Sequence, residues 1–134
     1  MPKVLISSSS APTTGFTSVD KPPPIAQAIR FGQMLFVSGQ GPLDPVTKTV
    51  VTGDIEVQTR RTLENLLSVL EAAGATLANV VNMRVILRDV SDFPRFNEVF
   101  REMLSGEKVT RTCVGGTPHR TGVNVEIDCI AMFD

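Results

Sequence analysis

The chain contains no tyrosine and a single histidine, His119, and its two cysteines, Cys113 and Cys129, fit no metal-ligand spacing. A chain of this size needs no disulfide staple, so both are expected to be free thiols. Long hydrophobic runs are also missing, and nothing approaches the ~20 apolar residues that cross a bilayer as a helix. There is no block of basic residues, and the net charge is −1, which leaves no electrostatic footprint for nucleic acid. The N-terminus carries one lysine, then Val4-Leu5-Ile6 and a run of serines, without the apolar core or small-residue cleavage site of a secretory signal. Together these absences predict a soluble, cytoplasmic protein with no membrane partner and no nucleic-acid partner.

What is present is apolar material for one core: 134 residues, 42% of them hydrophobic, are expected to form a single domain over residues 1–134. Residues 1–24 open with a short strand and pass into a loop rich in Ser, Thr and Pro from Ser7 to Pro24. Gln27 to Phe31 and Met34 to Ser38 read as strands joined by a glycine-first turn, Gly32-Gln33. Gly39-Gln40-Gly41-Pro42 and Asp44-Pro45 break regular structure before Asp54 caps a first helix. That helix has an apolar stripe of Leu63, Leu66, Leu67, Leu70 and Ala73, and Gly74 stands where a C-terminal cap belongs.

Val80 to Arg88 alternates, which predicts Val81, Met83, Val85 and Leu87 toward the helices and Asn82, Arg84, Ile86 and Arg88 away from them. Ser91 or Asp92 is expected to cap a second helix with Pro94 in its first turn. Its apolar face is Phe93, Phe96, Phe100, Met103 and Leu104, and Ser105-Gly106 ends it. After an extended segment, Val109 to Val114, the last strand sets Val123, Val125, Ile127, Cys129, Ala131 and Phe133 on one face, against Asn124, Glu126 and Asp128. The sum is an α+β fold, a sheet with two helices packed on one face. Ile86, Ile130 and Met132 make the other face apolar too, so a symmetric neighbour is expected to cover it, with Arg84, Arg111, Glu126 and Asp128 around or between subunits.

Arg111 and Cys113 stand two apart in an extended segment and so share a face. A guanidinium fork suits a planar carboxylate, and Glu126 is the candidate for handling a proton or a water beside it. Each of these residues also has an ordinary structural reading. Arg111 and Glu126 can form an ion pair on neighbouring strands, Cys113 can be a structural thiol, and Asn97 can bond local backbone. Ser38 can be a strand end and His119 a loop residue, while the Phe and Leu stripes read as core.

Five blocks in order, Phe36-Val-Ser-Gly-Gln-Gly-Pro-Leu-Asp-Pro45, Leu63-Glu-Asn-Leu-Leu-Ser-Val-Leu-Glu-Ala-Ala-Gly-Ala75, Asp89-Val-Ser-Asp-Phe-Pro-Arg-Phe-Asn97, Arg111-Thr-Cys113 and Val125-Glu-Ile-Asp128, resemble the RidA family of YjgF-type reactive intermediate deaminases. The resemblance runs from about Pro24 to the C-terminus. It implies a chorismate-mutase-like protomer with a mixed sheet, a homotrimer, and three ligand sites in the clefts between subunits. It also implies hydrolysis of 2-imino acids or their enamine tautomers to 2-oxo acids and ammonia, with no metal or organic cofactor. Residue by residue, Arg111 matches the arginine that grips the substrate carboxylate, Cys113 the cysteine whose backbone lines the pocket, and Glu126 the glutamate associated with the attacking water. Ser38 and Gly39 match the pocket wall next to the hairpin, and Asn97 an asparagine of the second helix.

Two departures from the family pattern stand out. Ile25 occupies the place of a family tyrosine, and Gly115 to Gly122, with His119 and Arg120, replaces a more apolar loop. Two other classes of function stand beside the deaminase. One is a carboxylate-binding or regulatory protein without turnover. The other is an endoribonuclease, a label attached to this family, against which a lone histidine, near-neutral charge and the absence of clustered carboxylates all weigh.

Overall fold

The computed structural model describes residues 2–12 and 23–134. The middle of the expected Ser7 to Pro24 loop therefore lies outside the described residues. Six strands form one sheet in the order β1-β2-β3-β6-β4-β5, where β1 is Val4–Ile6, β2 Ala28–Phe31, β3 Met34–Gln40, β4 Val80–Leu87, β5 Thr110–Gly115 and β6 Val125–Met132. Two helices, α1 (Ile55–Ala72) and α2 (Phe93–Leu104), lie over the sheet. β2 and β3 make the predicted hairpin, and Gly32 takes φ +60° in its turn, a conformation that glycine adopts without steric cost.

The topology explains why both helices cover one face. β3 and β4 each pair antiparallel with β6 between them, so they run parallel to each other and are connected through α1. β4 and β5 pair directly in parallel and are connected through α2. Parallel strands need a crossover, and a helix is the usual one. Leu66, Val69 and Leu70 of α1 and Phe96 of α2 close over Leu35, Met83, Val85, Ile127 and Ala131, all fully or almost fully buried. Burying each such large side chain stabilises the fold by about 1.5–3 kcal/mol.

Helix ends largely follow the sequence. Asp54 accepts a hydrogen bond from the Val57 amide at 3.0 Å, and Gly74, at φ +79°, follows the last turn of α1. At the second helix the expectation needs correction. Asp92 occupies the N-cap position without making a side-chain cap, while Asp89 accepts from the Ser91 amide and hydroxyl and caps a 3-10 turn, Val90–Asp92, that leads into α2. A second correction concerns Val81, which is exposed while Val80 is buried. A register shift between Val80 and Asn82 breaks the strict alternation that the sequence pattern assumes.

The open face of the sheet carries an apolar patch. Phe36, Phe31, Met34 and Met132 are each 37–50% exposed, and Ile29, Ile86 and Ile130 lie among them, partly buried. No helix among the described residues is long and apolar enough to cross a membrane.

Candidate functional site

A β-bulge shapes the first part of the site. Between Val37, which pairs with Cys129, and Gln40, which pairs with Ile127, β3 has one residue more than β6, so Ser38 and Gly39 together face Asp128. Bulges re-aim side chains, and here the Ser38 hydroxyl turns to donate to the Ala26 carbonyl at 2.6 Å. Glu126 lies against the bulge: a β-carbon on Gly39 would stand 3.1 Å from its Oε1 and 3.3 Å from its Cγ. The missing side chain is what lets the carboxylate approach this backbone.

Glu126, Ser38 and Gly39 line a cleft of about 230 Å3. Ile25, 52% exposed, forms part of its wall, with Leu43 and Val123. The loop after β5 brings His119 and Arg120 to the same cleft. That loop is fastened at both ends. Gly116 donates its amide to the Leu87 carbonyl at 3.0 Å, and a β-carbon on Gly115 would meet Val90 at 2.7 Å. At the far end the buried Gln58 donates to the Gly122 carbonyl and accepts from the Asn124 amide, both at 2.8 Å. Arg88 reaches the Val123 carbonyl at 3.0 Å and the Pro118 carbonyl at 3.4 Å.

Arg111 and Cys113 lie elsewhere. β5 is an edge strand, and its Arg111 pairs laterally with Met83, whose side chain is buried beneath the helices. The guanidinium therefore runs along α2, where Nη1 donates to Asn97 Oδ1 at 2.8 Å. Its carbon sits 4.8 Å from the Phe100 ring centroid, 5.4 Å from that of Phe93 and 5.8 Å from that of Phe96. Rings at this range attract a cation by about 0.5–1 kcal/mol or more each. No carboxylate among the described residues pairs with Arg111, and a hollow of about 370 Å3 opens beside it between α2 and β5. Cys113 follows on the same side, and burial pushes its thiol pKa up, against a smaller lowering by Arg111. The thiol is protonated at neutral pH, which does not suit a nucleophile. Cys129 is buried and its pKa is pushed up to about 12, chiefly by desolvation and further by Asp128. Both cysteines are free.

Arg111 and Glu126 accordingly form no ion pair. β4 separates their strands, and they point to opposite faces: Glu126 pairs with Ile86 of the open face, Arg111 with Met83 of the covered one. Asp128 of the open face is instead matched by Arg84 at 2.9 Å. Asn97 bonds a side chain, Arg111, where the sequence suggested local backbone. The aromatic setting of Arg111 was missed, because the Phe stripe reads as core. Phe93, Phe96, Asn97 and Phe100 on one helical face were its available signal. Gln58 and Arg88, which hold the His119 loop, left no signal in the sequence pattern.

A family model described as Endoribonuclease L-PSP matches residues 20–133. The chain is 44% identical over 108 residues to a RutC family protein of Pyrococcus horikoshii, spanning 81% of this chain and 86% of that protein. It is 31% identical over 111 residues to the 2-iminobutanoate/2-iminopropanoate deaminase of Dermatophagoides farinae, spanning 83% and 87% of the two. The crystal structure of RidA from the Antarctic bacterium Psychrobacter superposes with a TM-score of 0.85 at 33% identity, covering 97% of this chain and 99% of that one.

Proposed function

Because the chain belongs to the YjgF/RidA family, we propose that it hydrolyses reactive 2-imino acids, or their enamine tautomers, to 2-oxo acids and ammonia at sites shared between the subunits of a cytoplasmic homotrimer. The observation that carries the reading is the separation of its two chemical groups. Arg111, preorganised by Asn97 and three phenylalanines and paired with no carboxylate among the described residues, lies at the sheet edge; Glu126 lies in a cleft on the other face. Within one chain the two stand on opposite faces with β4 between their strands, and a symmetric neighbour seated on the open face joins them.

In that site Arg111 pairs with the substrate carboxylate, the planar partner its fork fits. The adjacent imine carbon is the electrophile. Glu126 orients a water and takes its proton as the C–O bond forms at the protonated imine, giving a neutral tetrahedral carbinolamine. Glu126 then passes that proton to the amine nitrogen, the C–N bond breaks as the hydroxyl returns its proton to Glu126, and ammonia leaves with the carbonyl in its place. The Cys113 backbone and the Ser38–Gly39 bulge are the walls against which the imine is held, and the reaction needs no thiolate. Such imines already hydrolyse in water, so each tenfold acceleration asks only about 1.4 kcal/mol of the protein.

One observation favours a second reading: the chain has no tyrosine, and Ile25 lines the cleft where the family resemblance implies one, so no phenol donates a hydrogen bond there. A protein that binds carboxylates without turnover would need none. Ammonia and 2-oxo-acid release decides between the two, measured on imines generated by an amino-acid oxidase with semicarbazide as competitor. Acceleration lost in Arg111→Ala supports the deaminase, and no acceleration on small or bulky imines supports the binding protein.

A further inference from the structure

Among the described residues, Arg120 is the arginine whose side chain has no partner. Every other arginine donates to a carboxylate, an amide oxygen or a backbone carbonyl, whereas the Arg120 guanidinium has no hydrogen-bond or ion-pair partner among the described residues. Yet it is only partly exposed and lines the cleft that holds Glu126. A slack surface loop would make this an ordinary solvated cation. This loop is fastened by Gln58, Arg88 and the close-packed Gly115, so the cation is carried to the cleft by a built support.

The rest of the cleft defines what the cation is for. Besides Glu126, His119 and Arg120, the cleft is lined by the apolar side chains of Ile25, Leu43 and Val123, with Ser38 and Gln40 as further polar lining. An aliphatic stem would lie along these side chains, and a negative group at its end would meet Arg120, with His119 beside it. A neutral side chain would leave the guanidinium unused. A side-chain carboxylate placed near Glu126 with no cation would be repelled.

We propose that Arg120 is a specificity-determining residue that selects 2-imino acids whose side chain ends in a carboxylate, the imines of acidic amino acids, over those with neutral side chains. The assignment rests on the deaminase reading for its chemistry, but the recognition it describes exists with or without turnover. The test therefore has a binding arm and a kinetic arm.

In the binding arm, calorimetry compares 2-oxoglutarate with 2-oxopentanoate, which have the same carbon chain and differ in the terminal carboxylate. The wild type is expected to bind 2-oxoglutarate about tenfold more tightly, the scale of one charge-assisted contact. Arg120→Gln removes the preference and leaves 2-oxopentanoate affinity unchanged, and Arg120→Lys restores part of it. Equal binding of the two ligands by the wild type overturns the proposal, as does a preference that survives in Arg120→Gln. In the kinetic arm, kcat/KM for the imine of glutamate falls about tenfold in Arg120→Gln while that for the imine of norvaline is unchanged. An equal fall on both overturns the specificity role. A binding preference with no turnover on any imine supports the Arg120 site and defeats the deaminase reading, so the two failures are distinct.

Discussion

The Glu126 carboxylate rests on the backbone of Gly39, so close that a β-carbon there would lie 3.1 Å from Oε1. Gly39 carries no left-handed φ, so Gly39→Ala introduces no backbone strain and acts through this contact alone. Gly39→Ala is expected to displace the carboxylate by a few tenths of an ångström and to lower kcat about tenfold, with KM and melting temperature little changed. Gly41→Ala, whose added carbon would meet only ordinary contacts at 3.5 Å or more, serves as the control. Steady-state kinetics on both variants checks this, and equal rates for Gly39→Ala and wild type would refute it.

The Asn97 side chain stands behind Arg111 and makes no other hydrogen bond among the described residues. Asn97→Ala frees the guanidinium to rotate away from its productive orientation. The expected result is a rise in KM of about three- to tenfold with a smaller change in kcat, since ground-state carboxylate binding is what weakens. Arg111→Lys removes the planar fork and is expected to cost more than Asn97→Ala on kcat/KM. A kinetic series on the three proteins tests the order.

The open face gives a prediction about assembly. Phe36 and Ile130 pair across β3 and β6 in the middle of that face. Placing Phe36→Asp there puts an unpaired charge where a neighbour would pack, which costs several kcal/mol if the face is covered. Light scattering after size exclusion is expected to report a trimer for the wild type and a folded monomer for the variant. A wild-type monomer would remove the shared site.

Much of this was legible in the sequence because the hydrophobic period is strong. Leu63, Leu66 and Leu70 fix the buried side of α1, and Met83, Val85 and Leu87 that of β4. Asp54 and Gly32 mark a helix start and a turn by stereochemistry that few other residues satisfy. The failures lie where a single extra residue changes the face. The bulge at Val80–Asn82 exposes Val81, and nothing local in two consecutive valines announces it. The face of Arg111 was equally hidden, because alternation says that Arg111 and Cys113 agree but not which side of the sheet they share. That depends on β5 pairing with β4, which is a property of the whole topology.

Cys129 links burial to pH. Its thiol ionises near pH 9 in an unfolded chain and only at about 12 in the folded one. The folded state therefore holds this proton more tightly, so the stability it contributes is full below pH 9 and is lost progressively as pH rises from 9 towards 12. Denaturant midpoints are expected to fall more steeply over that interval in the wild type than in Cys129→Ala. Parallel slopes would contradict the assignment. Cys113→Ser, by contrast, is expected to keep most of the activity, since the thiol is protonated at neutral pH.

The central claim is that one site takes Arg111 from one chain and Glu126 from another. Mixing tests it most directly: Arg111→Ala and Glu126→Gln are each expected to lose imine hydrolysis alone, and to regain it when co-refolded into mixed assemblies. With equal amounts and random exchange, roughly a quarter of the sites unite an intact arginine with an intact glutamate, so activity near that fraction of wild type is the predicted result. Mixed assemblies that form but stay as inactive as either variant would contradict the account.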